Sequence, residues 1–374
     1  SMLYAYDESF EKYNVENGNF TTEQKLTDNQ RTRLEKEKVT IYENFYKDED
    51  ADTDLDSEPE STIRLFKNRT EVNLVCLMKG EMPQQKDEIA IDRMYADNNG
   101  LQVGDVISVD KKELTVTGLV ALSDYSALFS NSSDMMFDAV KFGVGIMTEE
   151  GYDAITDDHI KYCYSWKYDT EPKDENEEKE WSDDFVEVLA AHSSLTGYLP
   201  RYGNQAIKFT GDDMGGDKAM VEVLLYILMA IMAFIFAVTT NNTIVKEASV
   251  IGTLRASGYT RRELLLHYLS LPVLITILSA VIGNILGYTV FKDICAGMYY
   301  GSYSLPTYQT RWNANAFLLT TVIPAILMFV INAVLISGRL RLSPLRFLRH
   351  DFAKKGKSLS LIHITEPTRL DVIS

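Results

Sequence analysis

Three long runs almost free of formal charge lie close together in the second half of this sequence, and they restrict its fold more than any other feature. Residues 220–240 (MVEVLLYILMAIMAFIFAVTT) carry one acid, Glu222, near one end. Residues 267–291 (HYLSLPVLITILSAVIGNILGYTVF) and 316–337 (AFLLTTVIPAILMFVINAVLIS) carry no acid, lysine or arginine. About 20 helical residues cross a hydrocarbon core of roughly 30 Å. A buried helix of a soluble protein would account for one such run. Three in succession between 220 and 337, joined by short loops, indicate transmembrane helices and an all-α membrane bundle. Pro272 and Pro324 lie inside two of the runs, where a membrane bundle tolerates them better than an isolated helix does.

Charge divides the chain at the same place. The net charge of −17 blends two regions, because residues 1–219 hold 47 acids and 23 bases, while residues 220–374 hold 7 acids and 14 bases. An acidic balance of this size argues against a nucleic-acid partner, which needs a basic face to displace counterions. The bases of the second region are unevenly placed. Lys246, Arg255, Arg261 and Arg262 fall in loop 241–263, and Arg339, Arg341, Arg346, Arg349, Lys354, Lys355 and Lys357 in segment 338–357. Loop 292–315 has only Lys292 and Arg311. The positive-inside rule then assigns 241–263 and the C-terminal segment to the cytoplasm and residues 1–219 to the extracellular side. A multi-pass protein of the cell membrane is expected, embedded in the lipid bilayer. No Asp, Glu, Lys or Arg sits mid-span, which speaks against a proton relay or an ion-coupled carrier.

Residues 1–219 are patterned as a mixed α/β extracytoplasmic domain. Strands are expected at 62–66, 72–78, 88–91, 106–109 and 113–122, with turns at Gly100, Gly104–Asp105 and Asp110–Lys111. Short helices are expected at 92–99 and, from the spacing of Trp181, Phe185, Val188 and Leu189, at 181–191. Two stretches, 47–60 and 168–184, read as acidic disordered inserts, and 211–217 (GDDMGGD) as a flexible joint. An EF-hand in the first stretch fails from Asp48 and from Asp50, where Thr53 or Leu55 takes the glycine position and Pro59 or Ser61 the glutamate position.

Signatures of catalysis are missing: there is no Walker A loop, no G-x-S-x-G elbow and no H-E-x-x-H. His159 and Cys163 are four apart, a ligand spacing if the stretch were helical, but no second pair completes a structural zinc site. His192 has no such neighbour. Cys76 and Cys163 leave open one disulfide or two free thiols. The expectation is a non-catalytic chain with no cofactor and no metal. A membrane-tethered hydrolase using outer carboxylates is a third, weaker class, because the many acids single out no pair. In the second run, Gly283 and Gly287 form a G-x-x-x-G pair suited to helix packing, with Ser279 and Asn284 nearby; Asn332 suits a packing hydrogen bond in the third.

Residues 241–266 read NNTIVKEASVIGTLRASGYTRRELLL. Glu247, Ile251, Gly252, Leu254, Ala256, Gly258, Arg261 and Leu264 match in order the inner-loop pattern of FtsX-like permeases. These are the membrane subunits of ABC transporters of the MacB and lipoprotein-export type. The ending RLRLSPLRFLRHD, with Pro344, Leu345, Leu348 and Arg349, resembles the end of that permease domain. The stretch GEMPQQKDEIAIDRMYADNNGLQVGDVISV, with Gly80, Pro83, Glu88–Ile91, Gly100 and Gly104–Asp105, resembles the family's outer, MacB-like core. The resemblance covers roughly residues 72–122 and 220–350.

The resemblance implies an ABC transporter permease with two kinds of partner: a separate cytoplasmic ATPase, and a second permease copy or homologous half. Loop 241–266 would pass the ATPase's movement to the outer domain, for export or for mechanical work in the envelope. Two glycines flank an amphipathic turn, Ile251 and Leu254, fit for a partner's groove, with Arg255, Arg261 and Arg262 available to acidic rims or lipid phosphates. The alternative is a membrane-anchored sensor or regulator of peptides or cell-wall hydrolases. The family carries a further span before the outer domain, so the sequence reads as a fragment lacking its first transmembrane helix. The expected order is domain 1–219, a membrane domain 220–350, and a basic end 351–374 whose residues 358–374 resemble an adapter-derived, non-native tail.

Overall fold

The computed structural model describes residues 2–156 and 158–349. The basic end and tail expected at 351–374 lie outside the described residues. The chain divides into two compact units, 2–222 with 286–313, and 223–285 with 314–349. The boundary falls near the change in charge, but the first unit also takes in the loop after the second apolar run.

The first unit opens with α1 (Met2–Lys12), β1 (Gly18–Thr22), α2 (Asp28–Leu34), β2 (Val39–Glu43), β3 (Tyr46–Asp52) and β4 (Ser61–Lys67). It continues through β5 (Val75–Gly80), β6 (Glu88–Asp92), α3 (Arg93–Asn98), β7 (Val106–Val109) and β8 (Lys112–Leu122). Then come β9 (Phe142–Met147), α4 (Glu149–Ala154), β10 (Ile160–Tyr168), α5 (Glu175–His192) and β11 (Leu195–Pro200). The strands pair in the order β11-β1-β10-β3-β4-β9-β6-β8-β5, with β2 on β10 and β7 on β3 and β8. The β4–β9 and β6–β8 pairs are parallel, and both have buried faces rich in β-branched residues. Ile63, Leu65, Ile91, Val116 and Val144 fill the central core, while Phe20, Tyr164, Trp166, Phe185 and Leu189 fill a second core under α5.

Both acidic stretches are ordered where disorder was expected. In β3, Lys47, Glu49 and Ala51 alternate inward. Lys47 Nζ donates to the carbonyls of Tyr152 (3.1 Å) and Ile155 (2.8 Å), and Arg64 grips Asp48 through two bonds of 2.7 and 2.8 Å. Neighbours distant in sequence supply the countercharges, so the strand packs despite its composition; only the tip, 53–60, is largely exposed. In the second stretch the acids start a helix. Asp174 caps α5 by accepting from the amides of Asn176 and Glu177, at 2.9 and 3.0 Å. Glu175, Glu177 and Glu178 in the first turn complement the helix dipole.

The expected joint 211–217 is also helical, because α6 runs without a break over Gln205–Lys246. Its glycine is a contact point rather than a hinge. A Cβ on Gly211 would lie 2.4 Å from the Tyr6 ring, and only glycine lets α1 approach this closely. His159 and Cys163 do not share a helix face. His159 ends the turn before β10 and Cys163 lies inside that strand, and at strand spacing four residues span about 13 Å. His159 Nδ1 lies 3.2 Å from Glu49 Oε2, and Cys163 is buried. Cys76 and Cys163 are both free thiols.

The second unit holds the rest of α6, α7 (Ala248–Ala256) and α8 (Arg261–Leu286). After a π turn at Gly287–Phe291, α9 (Lys292–Ser302) belongs to the first unit. The chain then returns through α10 (Ala314–Phe317), a π turn at Leu318–Val322, α11 (Ile323–Leu340) and α12 (Pro344–Leu348). The stretches Gln205–Lys246, Arg261–Ser302 and Ala314–Leu340 are long and apolar enough to cross a membrane. Large apolar side chains such as Phe234, Leu271, Ile282 and Ile326 point outward, the arrangement a lipid solvent favours. Polar side chains bond inward: Thr240 donates to Asn332, and Asn284 Nδ2 reaches Thr321 Oγ1 at 2.9 Å.

Candidate functional site

Segment 247–263 is built by two successive helix signals in the sequence. The first stops α7. Gly258 adopts φ +103°, its amide donates to the Arg255 carbonyl (3.4 Å), and the Tyr259 amide donates to Leu254 (3.0 Å). This is a Schellman stop, which needs glycine at the left-handed position. The second signal starts α8 two residues later. The Thr260 amide donates to Glu263 Oε2 at 2.8 Å. The Glu263 amide donates to Thr260 Oγ1 at 3.3 Å. Together the two bonds close a capping box. The result is a fixed short turn between helices.

The nine expected coupling residues separate into two groups. Ile251 is fully buried with Ala248, Leu264, Leu340 and Phe347, so it is not open to a partner's groove. Gly252 lies against α12, where an added Cβ would meet Leu348 Cγ at 2.9 Å. Glu247 accepts from the Tyr268 hydroxyl at 2.6 Å. Arg255 Nη1 donates to the Leu340 carbonyl at 2.7 Å, so it closes the end of α11 instead of facing an acidic rim. Leu254 is half-buried, while Ala256, Gly258, Arg261 and Arg262 are exposed beside Tyr259. An inner row therefore holds the segment in place, and an outer row presents apolar and basic groups.

Gly283 and Gly287 meet no other atom within 4 Å of an added Cβ, so among the described residues no helix packs on this pair.

In the first unit, a strap at 299–311 that sequence reasoning passed over is docked on the α/β domain. Arg93 Nη2 donates to the carbonyls of Tyr300 (2.7 Å) and Tyr303 (2.8 Å). The Ser304 amide donates to the Ser126 carbonyl (2.8 Å), and its hydroxyl donates to Asp92. Burial pushes the Asp92 carboxyl up to about 6, while Ser304, the Tyr95 amide and Arg93 pull it down. The Tyr299 and Tyr303 hydroxyls bond Asp217 and Asp213 of α6, each at 2.8 Å. Arg311 reaches Glu8 of α1 at 3.0 Å. The only signal in the sequence was the run of tyrosines in an otherwise polar loop.

A second charged pair is buried in the same unit. Asp124 pairs with Arg69 at 2.7 Å, and burial, with the Glu16 charge, pushes Asp124 up to about 6. At the β3–β4 tip, carboxylate oxygens of Asp52, Asp54 and Glu60 lie within 4.8 Å of one another, and those of Asp52 and Glu60 accept from the loop's own groups.

Among the described residues, an α/β unit built on eleven strands and three helices long and apolar enough to cross a membrane define a membrane protein with a folded domain outside the hydrophobic stretches. Residues 222–344 match the family model described as FtsX-like permease C-terminal. No curated protein matches the chain. Among solved structures it is similar to the periplasmic region of MacB from Actinobacillus actinomycetemcomitans, at 12% identity over 52% of this chain and 90% of that one, with a TM-score of 0.30. It is also similar to the extracellular domain of the noncanonic ABC-type transporter YknZ from Gram-positive bacteria, at 9% identity over 49% of this chain and 97% of that one, with a TM-score of 0.29.

Proposed function

We propose that this chain is the membrane permease subunit of an ABC transporter, a non-catalytic partner of a separate ATPase. The outer row of segment 247–263 carries the reading. Leu254, Ala256, Gly258, Tyr259, Arg261 and Arg262 form a presented surface on a turn fixed by the Schellman stop and the capping box. An apolar knob rimmed by arginines suits the groove of a soluble partner, while Glu247, Ile251, Gly252 and Arg255 transmit its movement into α11 and α12. The distribution of bases supports a cytoplasmic position for 241–263 and an extracellular one for the α/β unit. With 42 residues, α6 is about 63 Å long, twice what a bilayer core needs. The strap joins the loop after the second apolar run to the α/β domain by hydrogen bonds. The bare Gly283–Gly287 face suits a second permease copy.

The test is ATP hydrolysis by the partner ATPase co-reconstituted with the chain. Gly258→Asp and Leu254→Asp should lower the permease-dependent activity by about tenfold, within the range of site-to-site coupling. Unchanged coupled hydrolysis in both variants refutes the assignment. The alternative, a membrane-anchored sensor or regulator, is supported instead if no ATPase stays bound under mild detergent.

A further inference from the structure

A cavity of about 550 Å³ opens in the α/β unit between α5 and the turn Glu35–Glu37, well away in sequence from the coupling segment. Its apolar lining is Val39, Tyr168, Trp181 and Phe185, with the Tyr168 and Trp181 rings edge to face at 5.3 Å. Charged side chains ring this lining in two sets. Some are already engaged: Lys173 with Glu177 at 3.4 Å, and Glu171 with Lys167, outside the lining, at 2.6 Å. Others are exposed and have no ion-pair partner among the described residues. These are Lys36 and Lys38 at the turn, with Glu37 between them, Asp169 after β10, and Asp184 on α5.

We propose that this cavity binds a zwitterion of amino-acid to dipeptide size with an apolar side chain. Its carboxylate would meet Lys36 and Lys38, its ammonium Asp184, and its side chain the Trp181–Tyr168–Phe185 surface. The volume falls within the roughly 300–1,000 Å³ usual for small-molecule sites, which combine an apolar lining with a few polar groups that fix orientation. A neutral apolar ligand would leave charges of both signs without partners. A simple cation would leave Lys36 and Lys38 without a counterion. A zwitterion engages both free sets at once and places its apolar part against the rings, where an ammonium also gains from the aromatic faces. The inference stands independently of the permease reading, because the cavity lies wholly in the first unit and its test involves no ATPase.

Isothermal titration of the full chain in detergent micelles, with the dipeptide Leu-Leu and with free leucine, tests it. Saturable one-to-one binding of either is expected, and comparing the two separates the dipeptide from the single amino acid. Acetylating the amine or amidating the carboxylate of Leu-Leu should each weaken binding by about tenfold. The double variant Lys36→Gln/Lys38→Gln should weaken Leu-Leu but leave the amidated probe nearly unchanged. Asp184→Asn should weaken Leu-Leu but leave the acetylated probe nearly unchanged. These three side chains are exposed, so an unaltered melting profile separates lost recognition from lost folding. No saturation by either probe up to about 10 mM, a generous limit for specific binding, overturns the proposal. So does binding that ignores all three substitutions.

Discussion

The two units of this chain solve opposite solvation problems with the same kinds of side chain. In the α/β unit, Ile63, Val144 and Trp166 are buried, and the acids mostly meet water or a fixed cation. In the helical unit, Phe234 and Leu271 face outward, whereas Asn332 is buried and hydrogen-bonded to the Met328 carbonyl at 2.9 Å. Where water is the solvent, apolar burial stabilises the fold. Where lipid is the solvent, apolar side chains gain little from going inside, and close packing with a few interhelical hydrogen bonds must hold the helices together.

The sharpest way to break that contrast is to make equivalent truncations in both units. The Trp166 ring is fully buried between Phe185 and Tyr198. Trp166→Ala should therefore destabilise the α/β unit by about 3–5 kcal/mol. The Phe234 side chain, by contrast, is 71% exposed. Phe234→Ala, also the loss of a large aromatic, should shift unfolding in detergent by only about 0.5 kcal/mol or less, as surface substitutions usually do. Chemical denaturation followed by near-UV circular dichroism measures both, and equal losses would erase the distinction.

Overpacking comes next. The side chain added by Gly211→Val runs into the Tyr6 ring. The variant should cost about 1–3 kcal/mol and release α1, read as faster proteolysis near Lys12. Gly283→Ala meets open space and should leave the isolated chain unchanged, so any loss of stability would reveal a helix packed there.

A smaller effect is expected from the interhelical bond. Thr240→Val removes the donor to Asn332. It should cost about 0.6 kcal/mol, the average for such bonds inside membrane proteins. A cost of several kcal/mol would mean that this bundle depends on polar contacts as strongly as the α/β unit does.

A further effect concerns pH and is confined to the α/β unit. Asp92 is raised from 3.8 to about 6 by burial, so between those values the folded state holds a proton that the unfolded state has lost. Its contribution therefore favours folding at low pH and declines as pH rises from about 4 to 6. Asp92→Asn keeps a helix-capping side chain and removes the titration, so the melting temperature of the variant should depend less on pH across that window. An unchanged slope would assign the pH dependence elsewhere, with Asp124 next in line because it is raised to about 6 for the same reason.

The membrane helices were legible in the sequence because hydropathy is additive along one segment and needs no knowledge of neighbours. The central strands β6, β7 and β8 were legible for a related reason: their β-branched runs are bounded by turn residues, a local signal. In segment 247–263, Gly258 and the Thr260–Glu263 pair are local signals too, acting within a few residues of themselves. Strand β3, the helical start of α5 and the Gly211 contact were misread, each in the same way. Composition indicated solvation or flexibility, while Arg64, the carbonyls of Tyr152 and Ile155, and Tyr6 had to be brought up from elsewhere in the chain to show otherwise. The commitment of Ile251 and Arg255 to the protein's own core, and the docking of the strap on Asp92 and Arg93, are further examples. By itself, then, the sequence determined which segments are apolar enough to enter lipid and where the helices around segment 247–263 stop and start. Tertiary structure alone decided which charged and apolar groups are spent inside the molecule and which remain for a partner, because a charge is neutralised and a side chain buried by neighbours in space.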